Sequence, residues 1–252
     1  MVPEDLTRFK DLTFEDFRRL ARDASLSPYE KIGFPNSYRE GKEEDIFRDI
    51  VAKLPNLRKP SQTVVDIGPG CSGLATMLVE LCRAQGHQLI LIDSEEMLNH
   101  LPTAPFITKV LGAFPAACPA LLDAYGGRVD VIITYSVFHY VFAEFNPYDF
   151  VDKAVGLLAP GGEMLIGDVP NISKRKRFFA SATGIRFHQA FTGTNEIPSV
   201  QFNTLETGQI DDAAVLSVLL RCRSAGVDAY VVPQADDLPM ANRREDILIK
   251  RP

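Results

Sequence analysis

The segment VVDIGPGCSGLA, residues 64–75, constrains the fold most, because it joins a strand to a helix through a glycine-rich turn. Gly68, Gly70 and Gly73 form the pattern GxGxxG. In such a turn the backbone approaches a nucleotide-like ligand closely, and the ligand lies against the start of the following helix. The pattern alone does not distinguish a dinucleotide from another adenosine-containing ligand.

Strand and helix patterns alternate from residue 63 onward. Five strands are predicted, separated by helical stretches, at residues 63–68, 88–93, 105–112, 129–136 and 163–169. Repeated units of this kind form a parallel sheet with helices on both faces. Two further strands, 227–234 and 244–252, are joined by a connection short enough for a hairpin, so the last should run antiparallel. We predict an α/β fold with a seven-stranded, mainly parallel, doubly wound sheet and an antiparallel last strand.

Helical patterns in residues 4–58 predict an N-terminal helical cap, residues 1–60, in front of a core at residues 61–252. A helix is predicted at 149–162, stopped by Pro160 and two glycines. Residues 171–210, between the fifth strand and the next helix, lack strong periodicity and exceed an ordinary connection. We interpret this insertion as a loop that forms a substrate lid.

Composition narrows the class of protein. The net charge of −6 disfavours a surface adapted to nucleic acid. The four cysteines show no metal-ligand spacing, so we expect reduced thiols and no metal. No apolar run approaches the roughly 20 residues that cross a bilayer, and the first residues lack a signal-peptide pattern. We expect a cytoplasmic protein without a membrane partner.

Two carboxylates flank the glycine turn. Asp66 precedes the first glycine by two residues, where it would repel a phosphate but suit a cationic ligand such as S-adenosylmethionine. Asp93 ends the second strand, where a carboxylate accepts hydrogen bonds from both ribose hydroxyls. Asp93 could instead belong to the capping run of the next helix with Ser94.

Four segments together resemble class I S-adenosylmethionine-dependent methyltransferases: VVDIGPGCSG, LILIDSEEML, DVIITYSVFHYV and LLAPGGEMLIGD. The resemblance implies a Rossmann-like fold, S-adenosylmethionine as cofactor and methyl transfer. It implies cofactor contacts from Asp66, Gly68, Pro69, Gly70, Asp93, Ser94, Gly112, Ala113, Phe114 and Ser136. The acidic residue usual after the third strand is absent, so the 112–113 backbone and Phe114 stand in for it against the adenine.

The N-terminal cap offers Tyr38 and Arg39 as partners for the cofactor's carboxylate, since arginine binds carboxylates through a bidentate fork. A solvated helix with an Arg39–Glu43 pair is the alternative. His139, after the fourth strand, is the leading candidate for a general base. Asp168, ending the fifth strand, competes with it, and each could instead simply order a loop.

The insertion concentrates basic and aromatic residues. We predict acceptor-binding roles for Tyr140, Lys174, Arg177, Arg186 and His188. The basic residues among them suggest that the methyl acceptor is an anionic small molecule, such as an acidic or nucleotide-linked sugar. A single-stranded nucleic-acid surface, or a solvated helix whose phenylalanines pack on the sheet, stays open.

These patterns predict a methyltransferase that O-methylates a small anionic metabolite. An NAD-dependent oxidoreductase could use the same glycine turn, although Asp66 disfavours it. A non-catalytic partner protein with a methyltransferase fold is the second alternative.

Overall fold

The computed structural model describes residue 9, residues 11–204 and residues 206–252. The start of the predicted cap, before residue 9, lies outside the described residues. Among the described residues, no helix has the length and apolar character that crossing a membrane requires.

The core is one sheet of seven strands: β1 (Thr63–Ile67), β2 (Gln88–Asp93), β3 (Ile107–Leu111), β4 (Val129–Tyr135), β5 (Leu158–Pro170), β6 (Asp228–Pro233) and β7 (Arg244–Lys250). Their order is β3-β2-β1-β4-β5-β7-β6. Strands β1 to β5 pair in parallel, while β7 runs antiparallel to both β5 and β6. This confirms the predicted fold class. The strand order reverses between β1 and β4, the place where open α/β sheets bind ligands.

Helices cover both faces of the sheet. They are α1 (Phe14–Arg22), α2 (Pro28–Lys31), α3 (Asn36–Arg39), α4 (Glu43–Lys53), α5 (Gly73–Gln85), α6 (Glu95–Leu98), α7 (Pro119–Tyr125), α8 (Phe138–Glu144), α9 (Pro147–Leu157), α10 (Ile172–Phe179), α11 (Ala182–Thr192) and α12 (Asp212–Ser224), with a 3₁₀ helix at Pro55–Arg58. Ile132 packs into a core layer with Phe138 and Phe150, while Val131 packs into the opposite layer. Burial of both faces explains why β4 is almost continuously apolar.

The predicted helix end at residue 162 is wrong. Helix α9 ends at Leu157, and β5 begins at once with Leu158. The glycines after Pro160 serve the strand: a Cβ on Gly162 would lie 2.9 Å from the carbonyl oxygen of Val129 on β4. The pairing of β4 with β5 shifts register here, so the turn residues form an irregularity inside the strand.

The insertion is more ordered than the loop expected from its weak periodicity, since it contains α10 and α11. The Asn171 side chain caps α10 by accepting from the backbone N–H groups of Ser173 and Lys174. Ser181 caps α11 in the same manner. These caps were the sequence signal for two helices.

The N-terminal arm, residues 13–39, contacts helices that follow β2 and β4, whereas α4 packs on a face of the sheet through Ile46 and Ile50. Arg18 on α1 donates to both carboxylate oxygens of Glu96 on α6, at 2.9 Å each. The backbone N–H of Phe14 donates to Glu144 on α8 at 2.9 Å. These contacts hold the arm over the carboxyl ends of β1 and β4.

Candidate active site

A cavity of about 130 Å³, the first cavity, opens where β1, β2 and β4 end. Three loops form one side of it, and the N-terminal arm covers the other. Its lining includes ten residues predicted from the sequence: Arg39, Gly68, Pro69, Gly70, Asp93, Gly112, Ala113, Phe114, Ser136 and Tyr140. The structure thus brings together most of the predicted cofactor contacts.

The glycine turn forms the floor of the first cavity and has no room for side chains. Gly68 and Gly70 have φ angles of 76° and 64°, in the left-handed region that favours glycine. A Cβ on Gly68 would lie 2.6 Å from Val137 Cγ2, and one on Gly70 would lie 2.6 Å from Ile32 Cγ2. Close approach by a ligand therefore requires glycine at both positions.

Asp93 stands at the edge of this floor. Its carboxylate accepts from the backbone N–H of Gly70 at 3.2 Å and of Ser94 at 2.7 Å. Burial raises the pKa of Asp93 to about 6, and these donors oppose that rise. The Ser94 hydroxyl accepts from Met97 N and caps α6, so it faces the helix and is absent from the cavity lining.

Asp66 lies behind the floor, in a smaller cavity beside Leu78 and Tyr135. The residue is buried, at 6% exposed. Burial, followed by the charge of Asp93, raises the pKa of Asp66 to about 8. A carboxylate in this position favours a cationic neighbour.

This burial predicts that the Asp66 carboxylate destabilises the ligand-free protein. Because its pKa rises from 3.8 to about 8, the folded protein binds more protons than the unfolded chain between those values, and stability falls as the pH rises through that window. We expect Asp66→Asn to raise the free energy of unfolding by roughly 2 kcal/mol at pH 8, with little change at pH 4. Urea unfolding across this range measures the difference.

Asp152→Asn is the control, because Asp152 pairs with Arg221 on the surface. The free energy of unfolding of Asp152→Asn, relative to the wild type, should not increase with pH. A loss of stability at pH 8 in Asp66→Asn would contradict the prediction.

An apolar slot lies at the far side of the first cavity. Phe114 packs edge-on against Phe150, with ring centroids 5.3 Å apart. The backbone N–H of Gly112 donates to the carbonyl of Asp93 at 2.8 Å, which ties this loop to the carboxylate. Ile92 and Met97 complete the slot, whose flat apolar walls suit a heterocyclic base.

Arg39 reaches the first cavity from the end of α3 and is only 4% exposed. Its Nη2 donates to Ser136 Oγ at 2.5 Å and to Asp168 Oδ2 at 3.2 Å. The guanidinium also lies 4.1 Å above the Phe34 ring. It therefore ties the arm to the ends of β4 and β5. The alternative of a solvated Arg39 paired with Glu43 is wrong, since the guanidinium is buried and bonded elsewhere.

Asp168 is the centre of this buried group. Its Oδ2 accepts from Arg39, from Ser136 and, at 2.6 Å, from Arg244 Nη1, while Oδ1 accepts from Gln234 at 3.3 Å. Both Ser136 and Asp168 have positive φ angles, 61° and 58°. Side chains rarely adopt that conformation, and such strain concentrates at functional sites.

Comparison with known proteins adds information about the fold. No family model matches the sequence, and no curated protein matches it. Among solved structures, the plantazolicin methyltransferase BpumL, in complex with a triazolic desmethylPZN analogue and S-adenosylhomocysteine, aligns with a TM-score of 0.55 at 12% identity, over 98% of this chain and 99% of that one.

Two further structures align with TM-scores of 0.51. One is a putative S-adenosyl-L-methionine-dependent methyltransferase from Methanococcus maripaludis, at 16% identity over 95% of this chain and 93% of that one. The other is the CurJ carbon methyltransferase, at 15% identity over 93% of this chain; this chain spans 63% of its length. The chain has the class I methyltransferase fold.

His139 and Tyr140 lie in the first turn of α8, shortly after the end of β4. Both line a second cavity of about 570 Å³, between the arm, α8 and the loops around residues 208 and 240. Burial, then the charge of Arg244, lowers the pKa of His139 to about 3, while burial raises the pKa of Tyr140 to about 12. Both side chains are therefore neutral near pH 7. Tyr38 lines the same second cavity.

The basic residues of the insertion lie elsewhere. Lys174 donates to the carbonyl of Arg244, and Arg177 pairs with Asp212 at 2.5 Å. Arg186 donates to Thr183, and His188 lines a separate groove near Pro198. None of the four lines the first or second cavity, among the residues that the structure describes.

Several residues of the site were not predicted from the sequence. Phe14 and Phe17 on α1 and Ile32 after α2 cover the first cavity, and Arg244 and Gln234 hold Asp168. The aromatic positions of the FEDF run were a signal, since α1 buries only Ala21 fully and turns its phenylalanines toward the cavity. No local pattern marked Gln234 or Arg244.

Proposed function

We propose that this protein is an S-adenosylmethionine-dependent methyltransferase acting on a small molecule. The observation that carries the proposal is the first cavity: a glycine floor, a carboxylate at the end of β2 and an apolar slot meet at the switch point of a class I methyltransferase fold. The alignment with the BpumL structure, over 98% of this chain, supports the assignment.

The residues present fit this cofactor. The Asp93 carboxylate is placed to accept from the ribose hydroxyls, and the slot beside Phe114 is placed to hold the adenine. Arg39 uses only Nη2 in its hydrogen bonds to Ser136 and Asp168, so its other N–H groups are available to a carboxylate. Asp66 lies behind the floor, where a cationic ligand would favour the charged form of its carboxyl group.

The cofactor, when bound, supplies an electrophilic methyl group on a sulfonium. The protein's part in such a displacement is mainly to align the nucleophile with that methyl group and to exclude water. Phe17, Phe34 and Tyr140 surround the end of the first cavity next to the second.

The expected acceptor, a hydroxyl of an anionic metabolite, gains no support from the positions of the basic residues in the insertion. Lys174 and Arg177 are engaged by Arg244 and Asp212, and neither contacts the cavities. General-base roles for His139 and Asp168 remain predictions. The four donors on Asp168 suit a positioning role better than proton transfer.

Calorimetric titration with S-adenosylhomocysteine tests the proposal. We expect saturable binding with a dissociation constant of tens of micromolar or lower. Asp93→Asn should weaken this binding about tenfold, because a carboxylate offers two acceptor oxygens to the two ribose hydroxyls, whereas an amide offers one. Absence of saturable heat with the wild-type protein would overturn the proposal.

Asp130→Asn is the matched control, since Asp130 accepts from Thr63 N at the opposite edge of the sheet. It should bind S-adenosylhomocysteine as the wild type does. A parallel fluorescence titration with NADH should show no binding, and tight NADH binding would favour an oxidoreductase.

A further inference from the structure

The second cavity meets the first along shared walls. Phe34, Tyr140 and Glu144 line both cavities. A molecule in the second cavity would therefore lie next to the cofactor of the proposed methyltransferase, on which this inference rests. The chemistry of the second cavity's walls is then the chemistry that an acceptor meets.

The charged side chains of the second cavity favour a cation. Asp11 and Glu144 contribute carboxylates that have no ion-pair partner among the described residues. Arg244 is the one guanidinium in the described lining, and it pairs with the Asp168 carboxylate at 2.6 Å, which Arg39 also binds. Near Asp11 and Glu144 an anionic acceptor would meet like charge.

The rest of the lining is aromatic and apolar. Phe34, Tyr38 and Tyr140 present rings, and Leu12, Ile210 and Met240 add aliphatic surface. Aromatic faces attract cations through their quadrupoles, and they do so more strongly where water is excluded. Carboxylates and rings in one cavity make a site for a positively charged group attached to an apolar body.

The two predicted general bases, Asp168 and His139, are poorly placed to take a proton. All the donors on Asp168 come from buried or nearly buried neighbours, so its carboxylate is occupied. His139 Nδ1 is enclosed without a hydrogen-bond partner, in a region made positive by Arg39 and Arg244. Neither group is therefore free to deprotonate an alcohol as it attacks.

We propose that the second cavity binds an amine with an apolar body as its ammonium, that this ammonium loses one proton to solvent, and that the resulting neutral nitrogen is the methyl acceptor. The nitrogen lone pair forms the new N–C bond while the C–S bond breaks and its electron pair passes to sulfur. The products are a neutral thioether and a methylated ammonium, and any remaining ammonium proton leaves to solvent after transfer. Positive charge grows on nitrogen during this step, where the carboxylates and rings stabilise it.

The test compares three head groups on matched scaffolds. Tryptamine, tryptophol and indole-3-acetate share one ring system, and phenethylamine, phenethyl alcohol and phenylacetate share another. Each is titrated into protein saturated with S-adenosylhomocysteine, and each is incubated with methyl-labelled S-adenosylmethionine. We expect the amines to bind about tenfold more tightly than their partners and to be the labelled products.

Two variants locate the effect. Asp11→Asn and Glu144→Gln should each weaken amine binding about fivefold and leave alcohol binding unchanged. Asp237→Asn removes a surface carboxylate that pairs with Arg48 and should change neither. Tighter binding of the alcohols or carboxylates, or no amine binding on either scaffold, would overturn the inference. Loss of S-adenosylhomocysteine binding in the wild type would instead count against the proposed function.

Discussion

Gly68→Ala is expected to weaken S-adenosylhomocysteine binding by about 30-fold or more, equivalent to about 2 kcal/mol. The new methyl group would lie 2.6 Å from Val137 Cγ2, a separation that packed carbon atoms do not adopt. Val137 is branched at Cβ, so it relieves the clash by moving as a unit. Both Gly68 and Val137 line the first cavity, and the movement narrows it where the cofactor must lie.

Gly161→Ala separates this effect from backbone strain. Gly161 has a φ angle of 78°, against 76° at Gly68, so both alanines meet the same conformational cost. A Cβ on Gly161 has no neighbour within 4 Å. Gly161→Ala should therefore lose about 1–2 kcal/mol of folding free energy and Gly68→Ala at least as much, but only Gly68→Ala should lose affinity. Equal affinities in the two variants would show that the floor does not contact the cofactor.

The sheet and the glycine floor were predictable because their causes are local. A strand buried on both faces is apolar throughout, and a turn that approaches a ligand needs glycine. The strand Val129–Tyr135 and the glycine at position 68 can therefore be recognised from the sequence. Asp93 was predictable for the same reason, since it ends a strand whose position in the sheet follows from the alternation of elements.

The group around Asp168 was not predictable, because its members come from distant parts of the chain. Arg39 lies 129 residues away from Asp168, and Arg244 lies 76 away. Single-sequence patterns describe the near neighbours of a residue, whereas these contacts depend on how α3 and β7 reach the end of β5. The basic residues of the insertion are close together in the sequence, which suggested a shared binding surface. In the fold Arg177 instead pairs with Asp212.

Removing Arg39 and Arg244 together should destabilise the protein more than the two single losses combined. Asp168 is buried, with a side chain only 5% exposed, and both arginines bind the same Oδ2 oxygen. In Arg39→Met or Arg244→Met, the remaining guanidinium still compensates the carboxylate, so we expect each to cost about 1–2 kcal/mol. In the double variant, Ser136 and Gln234 alone oppose a buried charge, which should cost about 3–5 kcal/mol, with further loss from packing.

A double-mutant cycle in urea unfolding measures this coupling, and adding Asp168→Asn to the double variant identifies its source. The amide removes the uncompensated charge, so the triple variant should be more stable than the double variant. Arg48→Met, at an exposed pair with Asp45, should change stability by less than about 0.5 kcal/mol. Strict additivity, or no recovery in the triple variant, would mean that Asp168 does not depend on the two arginines. The cycle therefore decides whether the arm is fastened to the sheet by charge or by apolar packing alone.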